Sequence, residues 1–362
     1  MNEALHLKEQ ALEKQTGNSF LYLLFSFFSG VLETGILTGG LMLFGITGAL
    51  LLVLAYQIGC LARNPLNLSL RGAICALCTA IPLFLISDNN IRLLLLATLV
   101  LSSGLQSARE WLLPEQNLVS LSTKRLTRVS GFIFGVLGCY SFGFNLLACI
   151  AIMALFALLP LAVRQKKAAP FINLNKNVKS NCYSWIMLFH QTHYFAYAYV
   201  LLAFFLSLQN QIFEQHVYWR PLIAAAGFAM GWYSYISGKW LLKKILKLSA
   251  LQAAIAGHVW VVICLTFMVL LNGYPFLIGL TWVLGGFGGG SVYAIKDLAK
   301  RNSNKADLEL WEHWGHMTGV SASFLSVQFL PSYPMAPFVL AIMAALSTLI
   351  LLHYSANTES TG

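Results

Sequence analysis

The chain has 362 residues, 58% of them hydrophobic and only 10% charged, with a net charge of +10. So few charges cannot keep a surface in water, which excludes a soluble globular domain and makes lipid the expected solvent. The positive balance suits nucleic acid on its face. The basic residues are scattered among short loops beside helix ends, however, where orientation and anionic headgroups account for them, and no nucleic-acid partner is expected.

A bilayer needs roughly 20 helical residues per crossing, and twelve apolar runs meet that length. A polar tail over 1–18 lacks the layout of a cleavable signal, so the first span is expected to act as the insertion signal. Spans follow at 19–37, 40–60, 69–87, 91–108, 127–141 and 143–163. A polar stretch over 164–182, with Pro170 inside it, separates them from spans at 183–206, 219–238, 248–272, 274–294, 311–330 and 334–353, and a short tail covers 354–362. The expected fold is therefore an all-α integral membrane protein of two six-helix bundles, 19–163 and 183–353, joined by a central loop.

Loop parity orients it. Of the 23 Lys and Arg residues, 21 fall in the tail or in even-numbered loops, and only Arg92 and Arg220 fall on the other face. Because Lys and Arg near span ends stay in the cytoplasm, both termini and the central loop are expected there. The location implied is a cell membrane, most simply a bacterial inner membrane. The seven cysteines lie in or beside apolar spans and form no extracellular disulfide framework. Cys75 and Cys78 read as small packing residues rather than a redox or metal pair.

Faint repetition crosses the central loop. Gly59-Cys60-Leu61-Ala62-Arg63 leaves the second span, and Gly238-Lys239-Trp240-Leu241-Leu242-Lys243-Lys244 leaves the eighth. Arg109-Glu110 ends the fourth span and Lys296-Asp297 the tenth, while Gly131 and Gly135 in the fifth are echoed by Gly315 and Gly319 in the eleventh. A parallel duplication of six helices would produce these matches.

On these loops the chain resembles the major facilitator superfamily, over essentially its whole length. Gly59, Leu61 and Ala62, then Gly238, Lys243, Lys244 and Lys247, match the family's basic loop motif. Arg63 and Leu242 stand where its acidic residue is expected, so the latch that acid makes in the family is not implied here. The resemblance implies a secondary transporter working by alternating access, not an enzyme, with no cofactor and a monomeric state. It also implies that export of a drug, metabolite or small metal-chelating compound is a common task, with import the alternative.

Candidate site residues follow from the cost of polar groups in hydrocarbon. Glu33, in the outer half of the first span, is the one carboxylate clearly inside a span; it reads as a proton-coupling group or as a solvated outer-end acid. His190 and His193 share adjacent positions in the seventh span and run into Tyr194, Tyr197 and Tyr199, with Gln191 and Thr192 alongside. The first and seventh spans are equivalent in the repeat, so Glu33 and His193 are expected to face one another across a central cavity lined also by Trp282. Histidine titrates near neutral pH, and protons rather than sodium are the expected coupling partner. Arg63, Lys243, Lys244, Glu312 and His316 are expected at a cytoplasmic gate. Gly285 to Gly290 reads as a close-packed or bending stretch of the tenth span.

Two further readings stay open. No Lys or Arg falls mid-span, so the cavity suits a neutral, amphipathic or cationic small molecule, although Arg128 at the start of span five could serve an anion. A membrane-embedded metal enzyme would have to gather His190, His193, His258, His313 and His316 around one ion; Glu312, His313 and His316 alone offer too few ligands, so no metal is assigned, and His258 reads as an isolated structural residue.

Overall fold

The computed structural model describes residues 2–66, 70–87, 90–112, 120–164, 181–212, 219–299 and 305–360. They are helical throughout, with no strand among the described residues. In chain order the helices are α1 (Asn2–Leu66), α2 (Leu70–Leu85), α3 (Ile91–Trp111), α4 (Leu121–Phe142), α5 (Asn145–Arg164), α6 (Cys182–Ile212), α7 (Trp219–Trp240), α8 (Ala250–Leu270), α9 (Pro275–Gly289), α10 (Val292–Ala299), α11 (Lys305–Phe329) and α12 (Ala336–Ser360). The central stretch 165–180 and the side chain of Arg63 lie outside the described residues.

Local chemistry sets the helix ends. Asn90 accepts hydrogen bonds from the Arg92 and Leu93 amides, and Ser120 accepts one from Thr123. Ser249 and Gln252 cap each other reciprocally at the start of α8, and Pro275 opens α9 where its missing N–H costs nothing. Two glycines make the tight reversals. Gly45 (φ 66°) folds α1 back on itself, and Gly143 (φ 57°) caps α4; nothing lies within 4 Å of a Cβ at either, so backbone conformation and not space requires glycine. The reversal of α1 is plain from Gly40, where a Cβ would stand 2.8 Å from Ala49 Cα; nine residues of straight helix would put about 13 Å between them.

Several boundaries differ from the sequence reading, with α6, α11 and α12 each running six or seven residues beyond an expected end. The first reversal is at Gly45 rather than 38–39, because only glycine there takes the left-handed turn. Helix begins at Asn2, since Glu, Leu, Ala, Lys and Gln in the polar tail are good helix formers. The tenth span is broken into α9 and α10 at Gly290–Ser291, and α4 starts at Leu121, six residues before the expected 127, because Ser120 caps it.

Five helical stretches among the described residues are long and apolar enough to cross a bilayer: Ser19–Leu61, Ile91–Trp111, Ala250–Leu270, Pro275–Ala299 and Ala336–Ser355. The first has 43 residues and reverses at Gly45, so it suffices for two crossings. Phe20, Phe134, Phe156, Phe276 and Ile350 stand on the outer surface, where acyl chains would cover them. This is a multi-pass membrane protein. Helices α4, α6 and α11 carry Arg, Gln, His and Glu on faces turned toward other helices, which lowers their hydropathy.

Helices α1–α5 pack chiefly on one another, as do α6–α12, and the two sets meet along α4/α7 and α1/α11. Close glycine approaches recur on both sides. A Cβ on Gly131 of α4 would stand 2.3 Å from the Phe27 carbonyl oxygen of α1, and one on Gly135 would stand 2.4 Å from that of Val31. On α11, a Cβ on Gly315 would stand 2.6 Å from the Leu188 oxygen of α6, and one on Gly319 would stand 2.7 Å from that of Thr192. Gly59 likewise meets Leu99 of α3, and Gly238 meets Phe287 of α9. In every case a side chain would collide with backbone, so glycine sets the helix spacing. Gly286, Gly288 and Gly290 are packed the same way against α7 and α8.

Candidate functional site

A cleft of about 80 Å³ opens between α4, α6, α7 and α11. Arg125, Arg128 and Phe132 of α4 line it, with Gln191 and Phe195 of α6, Trp232 and Tyr235 of α7, and Glu312 and His316 of α11. Helices α4, α6 and α11 contribute their first halves and α7 its second, so all these residues sit at one end of the bundle.

Arg128 links the cleft to the buried acid. Its Nε donates to Glu33 Oε2 at 3.1 Å and its Nη2 donates to the same oxygen. The Tyr199 hydroxyl of α6 donates to Glu33 Oε1 at 2.5 Å, and Gln57 Nε2 reaches Tyr199 at 3.4 Å. Glu33 is 1% exposed and Arg128 27%. The acid is therefore a fully desolvated ion, held by a guanidinium from its own set of helices and a phenol from the other. This removes the reading of Glu33 as a solvated outer-end acid. It also corrects the expected facing of Glu33 and His193: Tyr199, six residues further along α6, is what reaches the carboxylate, and six residues rotate a helical side chain by about 240°.

Arg125 and Arg128 bring fixed positive charge to the cleft, which favours the alternative left open for Arg128 over a cavity for neutral or cationic solutes. Both arginines lie one and two turns into α4. The Arg125 guanidinium sits over the Tyr293 and Tyr235 rings, 4.4 and 5.4 Å from their centroids, and its Nη1 is buried with no acceptor in hydrogen-bonding geometry. Opposite, Glu312 accepts from Gln191 Nε2 at 3.0 Å and from Lys296 Nζ at 2.7 Å. Gln191 Oε1 meets His316 Nε2 at 3.1 Å, which requires that nitrogen to carry the proton, and the His316 ring lies on Phe195 at 4.0 Å between centroids. Glu312 and His316 thus belong to the cleft wall.

The other expected residues fall elsewhere. Tyr194, Tyr197 and Trp282 are buried in an aromatic cluster with Phe228, behind the cleft, and Trp282 Nε1 donates to the Phe228 carbonyl at 3.1 Å. They do not line the cleft because the glycines of α9 draw that helix against α7. Lys243 pairs with Asp297 at the end of α10, and Lys244 is exposed. His190 and His193 meet His258 of α8, which is therefore not isolated. His313 and His316 stay apart from that trio, so the five-histidine gathering is not formed.

No protein-family model and no curated protein matches the sequence. Solved structures do share its fold. The chain is similar to the nucleoside transporter NupG over 94% of this chain and 97% of that one, with a TM-score of 0.65 and 13% identity. A bacterial metal transporter matches with a TM-score of 0.61 and 14% identity, over 92% and 98% of the chains. A bacterial homologue of the iron transporter ferroportin, outward-facing with soaked iron, matches with a TM-score of 0.62 and 13% identity over 94% and 98%. The chain therefore shares the overall fold of these three transporters.

Proposed function

We propose that the chain is a proton-coupled secondary transporter that moves a small molecule bearing an anionic group across a cell membrane by alternating access. One observation carries this reading: the buried Glu33 carboxylate pairs with Arg128, which stands in the wall of a cleft between the two helix sets. While Glu33 is ionised, Arg128 is neutralised by it. Protonating Glu33 frees the guanidinium to hold a carboxylate or similar anion, with Arg125 as a second donor. Proton and anion then bind together and travel the same way. That logic favours import over the export implied by the family resemblance, because an exporter running against protons needs cargo that competes with the proton for Glu33.

The proposal includes twelve crossings, with α1 supplying two and α9 with α10 supplying one. The bundles 19–163 and 183–353 would rock about the α4/α7 and α1/α11 seams as a monomer, with both termini in the cytoplasm of a bacterial cell. Under a shift of six spans the α4/α7 seam becomes the α11/α1 seam, so one interface serves twice. Reporter fusions after Lys176 and at the C-terminus test the topology, and an extracellular signal from either would overturn it.

The functional test is flux in proteoliposomes across a pH gradient, with a panel of carboxylate, neutral and cationic solutes. The expected result is accumulation of a carboxylate-bearing solute on the alkaline side. Glu33→Gln should abolish that accumulation while passive exchange persists. Accumulation of a cationic solute on the acidic side would overturn the reading.

A further inference from the structure

Behind Tyr235, away from the cleft, three buried histidines converge: His190 and His193 from α6 and His258 from α8. One nitrogen from each lies within 4.8 Å of the others. His190 Nδ1 and His258 Nε2 are 2.9 Å apart, and His258 Nδ1 is 2.8 Å from the Ala254 carbonyl, with the Ser291 hydroxyl at 3.3 Å. A carbonyl only accepts, so His258 carries its proton on Nδ1 and presents the Nε2 lone pair to the trio. His190 Nε2 faces the Tyr235 hydroxyl at 3.5 Å.

A hydrogen-bonded relay explains His190 and His258 but leaves out His193, whose two nitrogens are buried and meet no partner in hydrogen-bonding geometry. The Phe189 carbonyl one turn back is at most a misaligned contact. A buried polar group without a partner is costly to maintain, and packing alone supplies His193 with none. A shared ligand uses all three rings.

We propose that His190, His193 and His258 form a binding site for one first-row transition-metal ion of the imidazole-preferring class, such as zinc. Three neutral imidazoles with an open fourth position suit that class, whereas magnesium, calcium and manganese want oxygen ligands. At metal–nitrogen distances of about 2.0–2.1 Å, tetrahedral ligand atoms sit about 3.3 Å apart. The trio therefore closes by at most about 1.5 Å, within reach of small side-chain rotations. The Ala254 carbonyl already orients His258 as an outer-shell partner does. On binding, the His190 proton moves to Nε2, where the Tyr235 oxygen accepts it. The site ties α6 to α8 on the far side of Tyr235 from the cleft, and metal uptake is read without flux, so it stands or falls independently of the transport reading.

The test uses the full-length protein in detergent, purified without a polyhistidine tag and stripped with chelator. Zn²⁺ is titrated calorimetrically, and Co²⁺ provides the visible absorption of four-coordinate cobalt. One equivalent per chain is expected. His193→Gln removes no well-formed hydrogen bond, so it should fold as the parent does while weakening Zn²⁺ binding at least tenfold and bleaching the cobalt bands. His258→Gln should do the same, and His313→Gln and His316→Gln should leave both signals intact. A parent that takes up well under one equivalent, or unchanged binding in folded His193→Gln protein, would overturn the proposal.

Discussion

The first turns of α4 and α11 occupy the same place in the two sets of helices and carry opposite chemistry. Arg128 lies three residues before Gly131, and Glu312 lies three before Gly315. Both glycines press on a neighbouring backbone, the first on α1 and the second on α6. Yet Arg128 pairs with a carboxylate and Glu312 with a lysine and an amide. The difference teaches what a duplicated scaffold holds fixed. Close backbone contact admits only glycine, so that part repeats. The cleft-facing side chain one turn earlier has no such constraint, and the two copies have diverged to place a cation and an anion on one cavity.

The largest expected effect comes from breaking the first of these pairs on its desolvated side. Arg128→Gln leaves Glu33, 1% exposed, without its counter-ion. The expected loss of stability is about 3–5 kcal/mol, read as a fall in melting temperature. Glu33→Gln should cost less, since Arg128 at 27% exposure can hydrate in the cleft. Combining Glu33→Gln with Arg128→Gln should recover much of the loss while proton-driven flux stays absent. Equal losses for the two single variants would mean that burial does not distinguish the partners.

Glycine substitutions test the shared half of the comparison. Gly131→Ala and Gly319→Ala each force a methyl group against a backbone carbonyl, on α1 in one case and α6 in the other. Overpacking of this kind typically costs about 1–3 kcal/mol, and the two losses should be similar. A large loss at one site and none at the other would break the repeat as a packing rule. Gly143→Ala provides a contrast, since nothing crowds a Cβ there and the penalty lies in the positive φ alone.

These positions mark what was legible in the sequence. Apolar runs of bilayer length and the GxxxG spacing in α4 and α11 marked most of the helices, because each reflects a local or one-dimensional constraint. The cleft did not emerge, for a specific reason. Counting Lys124, Arg125 and Arg128 as loop residues started α4 six residues late, although Ser120-Leu121-Ser122-Thr123 is a legible helix start. With that cap recognised, Arg125 falls inside the helix beside Arg128, and both side chains become candidates for the cavity wall. The partnering of Glu33 with Tyr199, and of His258 with His190, depends on the rotation of helices distant from one another in the chain. No periodicity encodes that rotation.

Loss of the second cation in the cleft should show in affinity rather than stability. Arg125 already lacks an acceptor on Nη1, so Arg125→Gln removes no hydrogen bond there. If an anionic cargo completes that guanidinium, the variant should raise KM for flux by tenfold or more, as expected for loss of a charge-assisted hydrogen bond of about 1.5–3 kcal/mol. An unchanged KM for the carboxylate solute would remove Arg125 from the binding site and leave Arg128 alone.

The smallest effect, and the most discriminating in sign, is expected at Glu312. Its side chain is 17% exposed and that of Lys296 26%, so their ion pair is partly hydrated and worth no more than about 1 kcal/mol. Glu312→Gln keeps a hydrogen-bonding side chain beside Gln191 and should leave the melting temperature nearly unchanged. Its effect on cargo should run opposite to that of Arg125→Gln. Removing a negative charge from a cavity that also holds two guanidinium groups raises the local potential, so an anionic solute should bind severalfold more tightly. The gain should shrink as salt rises from about 0.1 M to 1 M, because the screening length falls from about 10 Å to about 3 Å. A salt-independent gain would point to a change of shape rather than of field. Weaker binding of the anion would mean that Glu312 itself holds the cargo, through a donor group, and the opposed charges at the two equivalent positions would then be two arms of one zwitterion site.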